Sequence, residues 1–349
     1  MNVPKLRFPN FSDDYIIKEV SEITSNISSG RISKQLEYGE YNVYGSMGII
    51  GKSNFYDYTG EKVLVARVGA NAGSINKINE NCCISDNTLV LEPKNILNDY
   101  LYYSLSHYNP KKLIFGSGQP LVTGGQLKNV KLGIPSEEEQ TKVSNFLSLL
   151  DKKIELQSRK IEDLKLFTKN IISNELNNLQ NYNIFKFKDI CNIQTGKSNT
   201  QDKCDDGIYP FYIRSENIER SNNYIFDCEA VLTIGDGNIG KVFFYENGKF
   251  DCHQRVYVLN NFKNVLGKYV YYYFSAFFYK RAMSMSAKNT VDSVRMEMIS
   301  DMIIKVPQEK EQIKMINLFS SLDKKLGLEQ NKLDKLQELK KGLMQNMFV

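Results

Sequence analysis

Two glycine-rich strings come closest to the spacing of a known chemical site. Residues 235–240 read Gly-Asp-Gly-Asn-Ile-Gly, which matches the G-x-G-x-x-G pattern of dinucleotide-binding turns and follows a predicted strand. That chemistry requires a helix directly afterwards, whose N-terminus holds the pyrophosphate. Residues 241–245 (KVFFY) form a strand sequence instead, so a tight turn is the better interpretation. Residues 196–198 (GKS) resemble the end of a phosphate-binding loop, but Cys191 stands where that motif needs its first glycine.

The sequence also lacks a complete motif for a catalytic nucleophile or for a metal site. Neither His107 nor His253 lies near a nucleophile motif such as G-x-S-x-G. Cys252 and His253 are adjacent, so in a strand their side chains point to opposite faces. The six cysteines show no C-x-x-C spacing, which argues against zinc and favours reduced thiols. With no methyltransferase tetrad and no nuclease carboxylate pattern either, we expect a chain that is not an enzyme and binds no metal or cofactor itself.

The bulk composition is that of an ordinary water-soluble protein. A length of 349 residues suits two domains, and 42% hydrophobic residues supply enough material for their cores. No apolar run approaches the roughly 18 residues of a membrane span, and the first residues lack the apolar core of a signal peptide. We therefore expect a cytoplasmic protein with no membrane partner. The net charge of +5 permits a nucleic-acid partner without requiring one.

An internal repeat organises the rest of the chain. When Pro135 is aligned with Pro307, a shift of 172 positions, residues 135–177 lie over residues 307–349 without a gap. About 16 of the 43 aligned positions are identical. Each copy begins with proline and an acidic first turn, which suits the positive end of a helix dipole. The chain is therefore duplicated, with one long helix closing each half.

The apolar positions of both helices follow a heptad-like spacing, which predicts that they pair with each other. The predicted pairing residues are Leu147, Leu150, Ile154, Ile161, Leu164, Ile171, Phe319, Leu322, Leu326, Leu333, Leu336 and Leu343. The pattern breaks at equivalent places, at Gln157 and Glu329 and again at Thr168 and Lys340. The alternative is two independent amphipathic helices, each on its own domain. Helices of about 40 residues would be near 60 Å long and would extend beyond any domain of this size.

The segments before the helices are predicted to be β-rich. The predicted boundaries are 1–134 and 179–306 for the two β-rich domains, with helices at 135–178 and 307–349. Each β-rich domain has a strand leading into a glycine-rich turn, and then a polar triplet between strands. The triplet is Ser-Asp-Asn at 85–87 and His-Gln-Arg at 253–255. Two similar scaffolds with different polar residues are expected of a protein that recognises two different targets.

Several strings resemble type I restriction–modification specificity subunits. They are residues 3–11 (VPKLRFPNF), 116–120 (GSGQP), 126–135 (QLKNVKLGIP) and 339–348 (LKKGLMQNMF). The resemblance covers the whole chain, and the order and duplication of the strings make it specific. Residues 286–290 (SAKNT) depart from the pattern, since they replace the GSGQP loop of the first half. That departure leaves the contacts of the second domain open.

The resemblance implies an α+β fold with a pseudo-two-fold internal repeat. Two β-rich target-recognition domains would be separated by two long antiparallel coiled-coil helices. Each domain would read one half of a bipartite double-stranded DNA target. The helices would set the spacer and dock two methyltransferase subunits, which use S-adenosylmethionine. Restriction subunits, which use ATP and Mg, would then join.

The physics of DNA recognition selects candidate residues within that framework. Side-chain hydrogen bonds to base edges read sequence, while Lys and Arg on phosphates supply affinity. Candidates in the first domain are Arg31, Ser33, Lys34, Tyr44, Ser46, Arg67, Asn71, Asn87, Ser117 and Gln119. Candidates in the second are Lys197, Ser198, Tyr212, Arg214, Ser215, Asn217, Asp236, Asn238, His253, Gln254, Arg255, Lys288 and Asn289.

Two other functions remain as alternatives at this point. The chain could be a coiled-coil adaptor whose β-rich domains hold protein or glycan partners, or an enzyme of the G-x-G-x-x-G type. DNA affinity that falls steeply with salt would separate DNA binding from the adaptor. Titration with a dinucleotide cofactor would reveal the enzyme.

Overall fold

The computed structural model describes residues 2–32, 34–45, 47–114, 118–285 and 293–349. Its strands are β1 (Ile16–Glu19), β2 (Thr24–Ser29), β3 (Tyr41–Gly45), β4 (Gly48–Ser53), β5 (Glu61–Ala66), β6 (Ile75–Asn79), β7 (Cys82–Ile84), β8 (Thr88–Pro93), β9 (Lys131–Ile134), β10 (Tyr182–Lys186), β11 (Asn192–Thr195), β12 (Tyr209–Tyr212), β13 (Ile218–Ser221), β14 (Phe226–Ile234), β15 (Phe243–Cys252), β16 (Val256–Asn260) and β17 (Ile303–Pro307). Its α-helices are α1 (Asn98–Tyr108), α2 (Gly124–Lys128), α3 (Glu137–Asn177), α4 (Phe187–Ile190), α5 (Gly267–Ser284), α6 (Met296–Ser300) and α7 (Glu309–Asn346).

The chain divides into two compact units. Unit 1 contains Met1–Ser158 and Asn331–Val349, and unit 2 contains Arg159–Gln330. Helices α3 and α7 each contribute one part to unit 1 and the other part to unit 2. Unit 1 is therefore assembled from both ends of the sequence, whereas unit 2 is one continuous segment.

Unit 1 places two small sheets beside a strand pair. Strands β2-β8-β5-β6 form one sheet, β4-β3-β7 form the second, and β1 pairs with β9. Strand β5 (EKVLVA) is buried along its last four residues, as expected for an apolar central strand. Helix α1 lies in the same hydrophobic core as β5, since Tyr100, Leu101 and Leu105 cluster there with Val63 and Val65.

Unit 2 gathers most of its strands into one sheet. The order is β11-β16-β14-β15-β12-β13, and β10 pairs separately with β17. Helix α5 supplies an aromatic face to the core, where Tyr269, Phe274 and Phe278 are fully buried. After the glycine turn at 235–240 the chain continues into strand β15, beginning at Phe243. A strand where the dinucleotide fingerprint needs a helix excludes that chemistry here.

Within each unit the two long helices run antiparallel. In unit 1, Leu147 shares a core with Leu343 and Met347, and Asp151 pairs with Lys340 further back along α7. In unit 2, Lys160 pairs with Glu329 at 2.5 Å, while Leu176 near the end of α3 shares a core with Met315 and Phe319 near the start of α7. The α+β fold with β-rich domains, antiparallel coiled-coil helices and an internal repeat is thus confirmed.

The predicted pairing residues all lie on the covered sides of the helices. Those that are buried are Leu147, Leu150, Ile161, Leu164, Phe319, Leu333 and Leu336. Those that are half-buried are Ile154, Ile171, Leu322, Leu326 and Leu343. Two of the polar breaks, Gln157 and Thr168, are also buried, so the polar positions belong to the packed face rather than interrupting it.

The repeat extends to buried polar contacts that join each helix to its domain. The Gln140 side chain accepts a hydrogen bond from the Leu97 amide at 3.0 Å and donates to the Pro135 carbonyl at 3.0 Å. Gln312 makes the same two bonds, with the Leu266 amide and the Pro307 carbonyl, both at 2.9 Å. One glutamine in each unit therefore connects the start of the long helix to the segment that precedes α1 or α5.

Unit 1 has an additional covering segment, the N-terminal arm (residues 2–15). The Leu6 amide donates to the Asn346 carbonyl at 2.8 Å, which joins the arm to the end of α7. Arg7 donates from Nε and Nη2 to the two carboxylate oxygens of Glu139, each at 2.8 Å. Tyr15 donates its hydroxyl to the same carboxylate at 3.0 Å. The arm thus holds the beginning of α3 and the end of α7 together.

Candidate nucleic-acid interface

A three-residue turn between β15 and β16 is the centre of a polar surface in unit 2. We refer to its residues, His253, Gln254 and Arg255, as the unit 2 tip. The His253 amide donates to the Tyr212 carbonyl and the Gln254 amide donates to the Ser198 carbonyl, both at 2.9 Å. These bonds join three stretches of chain that are far apart in sequence, so the predicted residues on them are brought to one place.

Polar side chains around the unit 2 tip orient one another. Arg214 Nη1 lies 3.2 Å from Asp236 Oδ2. The side-chain Nε2 of Gln254 donates to Asn199 Oδ1 at 2.8 Å. Arg214, Gln254 and Arg255 are nevertheless exposed, so their remaining donors and acceptors face solvent. Asn199 was missed from sequence, although its place directly after two predicted residues was a usable signal.

A buried carboxylate supports the turn from below. Asp251 accepts the Ser198 hydroxyl at 2.8 and 2.9 Å and the Ser221 hydroxyl at 3.4 Å. The chain passes so close here that a Cβ on Gly196 would lie 2.0 Å from the Cys252 carbonyl oxygen, so this position requires glycine. The Ser198 hydroxyl is used inside the protein, and Ser198 therefore positions the surface.

His253 is only 5% exposed and has a defined role in the turn. Its Nδ1 accepts the Arg255 amide at 3.0 Å, which places the proton of the neutral ring on Nε2. Burial lowers the pKa of His253, and the positive charge of Arg214 lowers it further against a weaker opposing effect of Asp236. The ring is neutral near pH 7, and Nε2–H is its remaining donor.

Unit 1 builds the same turn with different side chains. Residues 85–87 between β7 and β8 are the unit 1 tip. The Ser85 amide donates to the Tyr44 carbonyl at 2.8 Å, and the Asp86 amide donates to the Ile32 carbonyl at 3.0 Å. The Ser85 hydroxyl accepts the Asn87 amide at 3.3 Å, as His253 Nδ1 accepts the Arg255 amide in unit 2. The two tips are structural counterparts.

The correspondence continues into the neighbouring strands. The Arg67 amide donates to the Asn87 carbonyl at 2.9 Å, and the Gly235 amide donates to the Arg255 carbonyl at 2.7 Å. Arg67 therefore occupies in unit 1 the position that glycine occupies in unit 2. Its Nη1 donates to the Ser29 hydroxyl at 3.3 Å, which directs the guanidinium along β2.

The other predicted residues are distributed between surface and interior. Exposed positions are Arg31, Lys34, Asn71, Asn87, Gln119, Lys197, Arg214, Asn217, Asn238, Gln254 and Arg255. Half-buried positions are Tyr44, Arg67, Ser198, Ser215 and Asp236. Ser33, Ser46, Ser117, Lys288 and Asn289 lie outside the described residues.

Two predicted tyrosines are used inside the protein. Tyr212 is 2% exposed, its ring packs against Phe244 and Phe250, and its hydroxyl donates to Glu246 at 2.6 Å. The side chain of Tyr212 is thus used within the core, and its carbonyl holds the unit 2 tip. Tyr44 plays the same part in unit 1, and its hydroxyl donates to Glu80.

The exposed groups around each tip suit base edges and phosphates. Guanidinium groups pair with guanine or phosphate oxygens, and carboxamides pair with adenine through two hydrogen bonds. The tip of unit 1 offers the Asn87 carboxamide beside Arg67, and the tip of unit 2 offers Gln254 and Arg255 beside Arg214. Because these side chains differ while the backbones correspond, the two surfaces would favour different base sequences.

Metal-ligand clusters and membrane-spanning helices are both absent from the described ranges. No three His, Cys, Asp or Glu side chains there come together as ligands for a metal ion. None of the helices in those ranges combines the length and the apolar character needed to cross a membrane.

Comparison with protein families gives a match over most of the chain. The model described as "Type I restriction modification DNA specificity domain" matches twice, at residues 12–166 and 180–338. A type I specificity subunit of Mycoplasma pneumoniae is 27% identical over 193 residues, covering 50% of this chain and 63% of that protein. The EcoDI specificity subunit of Escherichia coli is 24% identical and covers 45% and 34%. The MjaVIII specificity subunit of Methanocaldococcus jannaschii is 29% identical and covers 42% and 39%.

These alignments span less than two thirds of each curated relative. Solved structures match over nearly the full length. The type I restriction–modification S subunit of M. genitalium superposes with a TM-score of 0.68 at 15% identity, covering 99% of both chains. A chain from a structural study of complex assembly and conformational transition of the type I R-M system gives 0.58 at 13%, covering 95% and 96%. At these identities the likeness establishes the fold alone.

Proposed function

The chain belongs to the type I restriction–modification DNA specificity family, and on this basis we propose that it is the subunit that reads DNA sequence for such a complex. Its two β-rich regions, 1–134 and 179–306, act as target-recognition domains, and each reads one half of a bipartite target in double-stranded DNA. The observation that carries this proposal is the pair of tips. One hydrogen-bonded turn is built twice, with Ser-Asp-Asn in unit 1 and His-Gln-Arg in unit 2.

The proposal assigns catalysis to partners. The chain itself neither methylates nor cuts DNA. Two methyltransferase subunits, one for each copy of the repeat, supply S-adenosylmethionine chemistry. Restriction subunits supply ATP- and Mg-dependent cleavage, and the complex acts in the cytoplasm. The long helices set the spacer between half-sites and carry the docking surfaces. The family match gives no support to an adaptor for protein or glycan ligands.

The test uses the full chain assembled with methyltransferase subunits. Arg255→Ala should weaken binding of specific DNA by roughly 5- to 150-fold and relax the sequence of one half-site, because a guanidinium contact to a base contributes about 1–3 kcal/mol. Asn87→Ala should do the same at the other half-site. Lys94→Ala is the control and should leave both unchanged, because Lys94 is exposed directly after β8, at the end of that strand opposite the unit 1 tip.

Methylome sequencing and binding at several salt concentrations provide the measurements. Replacing residues 1–134 by the equivalent region of a relative should change one half of the methylated motif and keep the other. A single substitution that altered both half-sites together would contradict the modular reading. DNA affinity that did not change with salt would contradict DNA binding altogether.

A further inference from the structure

The helix pair in unit 1 contains a partly exposed ion pair beside a tyrosine ring. Asp151 on α3 accepts the Tyr103 hydroxyl at 2.7 Å and also pairs with the ammonium group of Lys340 on α7. The Lys340 ammonium lies 5.9 Å from the centre of the Tyr103 ring. A second ammonium, that of Lys77, lies 5.3 Å from the same ring. In unit 1, lysine ammonium groups of the same chain therefore lie beside both the Asp151 carboxylate and the Tyr103 ring.

The repeat places the same carboxylate and tyrosine in unit 2 but no lysine. Asp323, the counterpart of Asp151, accepts the Tyr272 hydroxyl at 2.6 Å. Thr168 stands where the repeat has Lys340. Among the described residues, no ammonium or guanidinium group lies within 4 Å of the Asp323 carboxylate, and none lies over the Tyr272 ring.

The missing side chain leaves a cavity. Its volume is about 260 Å³, and Thr168, Tyr271, Tyr272, Asp323 and Leu326 are part of its lining. Thr168 is 6% exposed, and its Oγ1 has no hydrogen-bond partner in the described part of the chain. A buried hydroxyl without a partner is costly, so the packing around Thr168 is less satisfied than that around Lys340 in unit 1.

We propose that this cavity is a binding site for a primary alkylammonium group, the group that Lys340 provides internally in unit 1. The ammonium pairs with the exposed Asp323 carboxylate, as the Lys340 ammonium pairs with Asp151 in unit 1. The alkyl chain lies against Leu326 and Tyr271. Lys165 and Lys169 also line the cavity, and neither ammonium is within 4 Å of Asp323.

The primary test is titration of the full-length chain with n-butylammonium chloride, followed by saturation-transfer NMR at constant ionic strength. The wild-type chain should bind one molecule. Asp323→Asn should weaken binding about tenfold or more, because it removes the charged acceptor. Thr168→Lys, which copies unit 1, should abolish binding by filling the cavity with an ammonium of its own. Asp323 is exposed, so its replacement leaves the fold intact.

The reciprocal variant makes the test symmetric. Lys340→Thr removes the internal ammonium from unit 1 and should create a second n-butylammonium site of similar affinity. Equal signals from the wild-type chain, Asp323→Asn and Thr168→Lys would overturn the proposal, since they would show non-specific binding. Absence of binding to the wild-type chain would also overturn it and would indicate that Lys165 or Lys169 supplies the charge in solution.

Two further arms identify the source of the ammonium group. Binding of 1,4-butanediammonium at least about tenfold tighter than n-butylammonium would assign a free polyamine. Equal affinities, with release of n-butylammonium when methyltransferase subunits are added, would assign a lysine side chain of a docked subunit. Only the release experiment with methyltransferase subunits rests on the proposed function. The other binding measurements use the chain alone, without DNA or partner subunits.

Discussion

Units 1 and 2 share a repeat but differ in what surrounds the beginning of the long helix. Glu139 and Glu311 are identical residues at equivalent positions. In unit 1 the N-terminal arm covers Glu139, leaving 1% of its side chain exposed, and supplies two bonds from Arg7 and one from Tyr15. In unit 2 the side chain of Glu311 is 43% exposed and pairs with Lys314 one turn along the same helix.

This difference shows that identity within a repeat does not fix the energetic role of a residue. A carboxylate held by a bidentate guanidinium in a covered site is hard to replace, because removing one partner leaves a charge without compensation. The same carboxylate on an exposed helix turn contributes little, since water competes with its lysine. The hydrogen bond from Arg7 raises the pKa of that guanidinium, which agrees with a tight pair.

The largest expected effect tests this comparison directly. Glu139→Gln should lower the free energy of unfolding of unit 1 by about 3 kcal/mol, since Arg7 then faces a neutral amide. Glu311→Gln is the matched control and should change stability by less than about 0.5 kcal/mol. Urea unfolding of both variants measures the difference. Equal losses would mean that the arm does not hold Glu139 in solution.

A second pair of variants tests a contact that is the same in both units. Gln140→Leu and Gln312→Leu each remove a buried side chain that satisfies one backbone amide and one carbonyl. Each should cost about 2 kcal/mol, because both backbone groups lose their partners. The two losses should be equal within error in the same unfolding assay. A clear inequality would show that the buried polar contacts of the two units are not equivalent.

The smallest expected effect is on the pH dependence of the free energy of unfolding, and it should come from unit 2 alone. The folded pKa of His253 lies below the ordinary value of 6.5, mainly because of burial. As pH falls below 6.5, the unfolded chain binds a proton that folded His253 does not, so stability decreases until the folded pKa is passed. His253→Asn keeps an acceptor for the Arg255 amide but does not titrate, so it should show a shallower loss.

The measurement for this variant is urea unfolding at pH 7.5 and at pH 5. The counterpart in unit 1, Ser85, has no titrating group, so Ser85→Ala should leave the pH dependence unchanged. If His253→Asn lost as much stability on acidification as the wild-type chain, other groups would be responsible for the pH dependence.

The long helices and the two tips were predictable because their signals are local. Heptad spacing in one segment determines which side of a helix is covered, and a polar triplet between two apolar runs marks a turn between strands. The equivalence of residues 85–87 and 253–255 could therefore be anticipated from order along the chain. Their hydrogen bonds to the Tyr44 and Tyr212 carbonyls could not, because those partners come from distant strands.

The burial of individual polar and aromatic side chains could not be predicted, for the same physical reason. Tyr212 is an aromatic residue in a polar neighbourhood, and only the pairing of β12 with β15 shows that its ring faces the core. Gln157 and Thr168 interrupt the apolar pattern in the sequence, yet both side chains are buried. Whether a polar side chain breaks an interface or belongs to it depends on its partners across the interface, which a single sequence does not specify.

Unit 1 is built from the first and the last parts of the chain, and this has a consequence for synthesis. Met347 and Phe348 are buried in its core beside Tyr100, and Leu6 is bonded to Asn346. Every residue of unit 2 is synthesised before residues 331–349, which belong to unit 1. The unit whose synthesis begins first is thus the unit whose residues are all present last. A chain interrupted near its end would carry a finished second domain beside an unfinished first one, so loss of a few C-terminal residues should expose the N-terminal half to proteases.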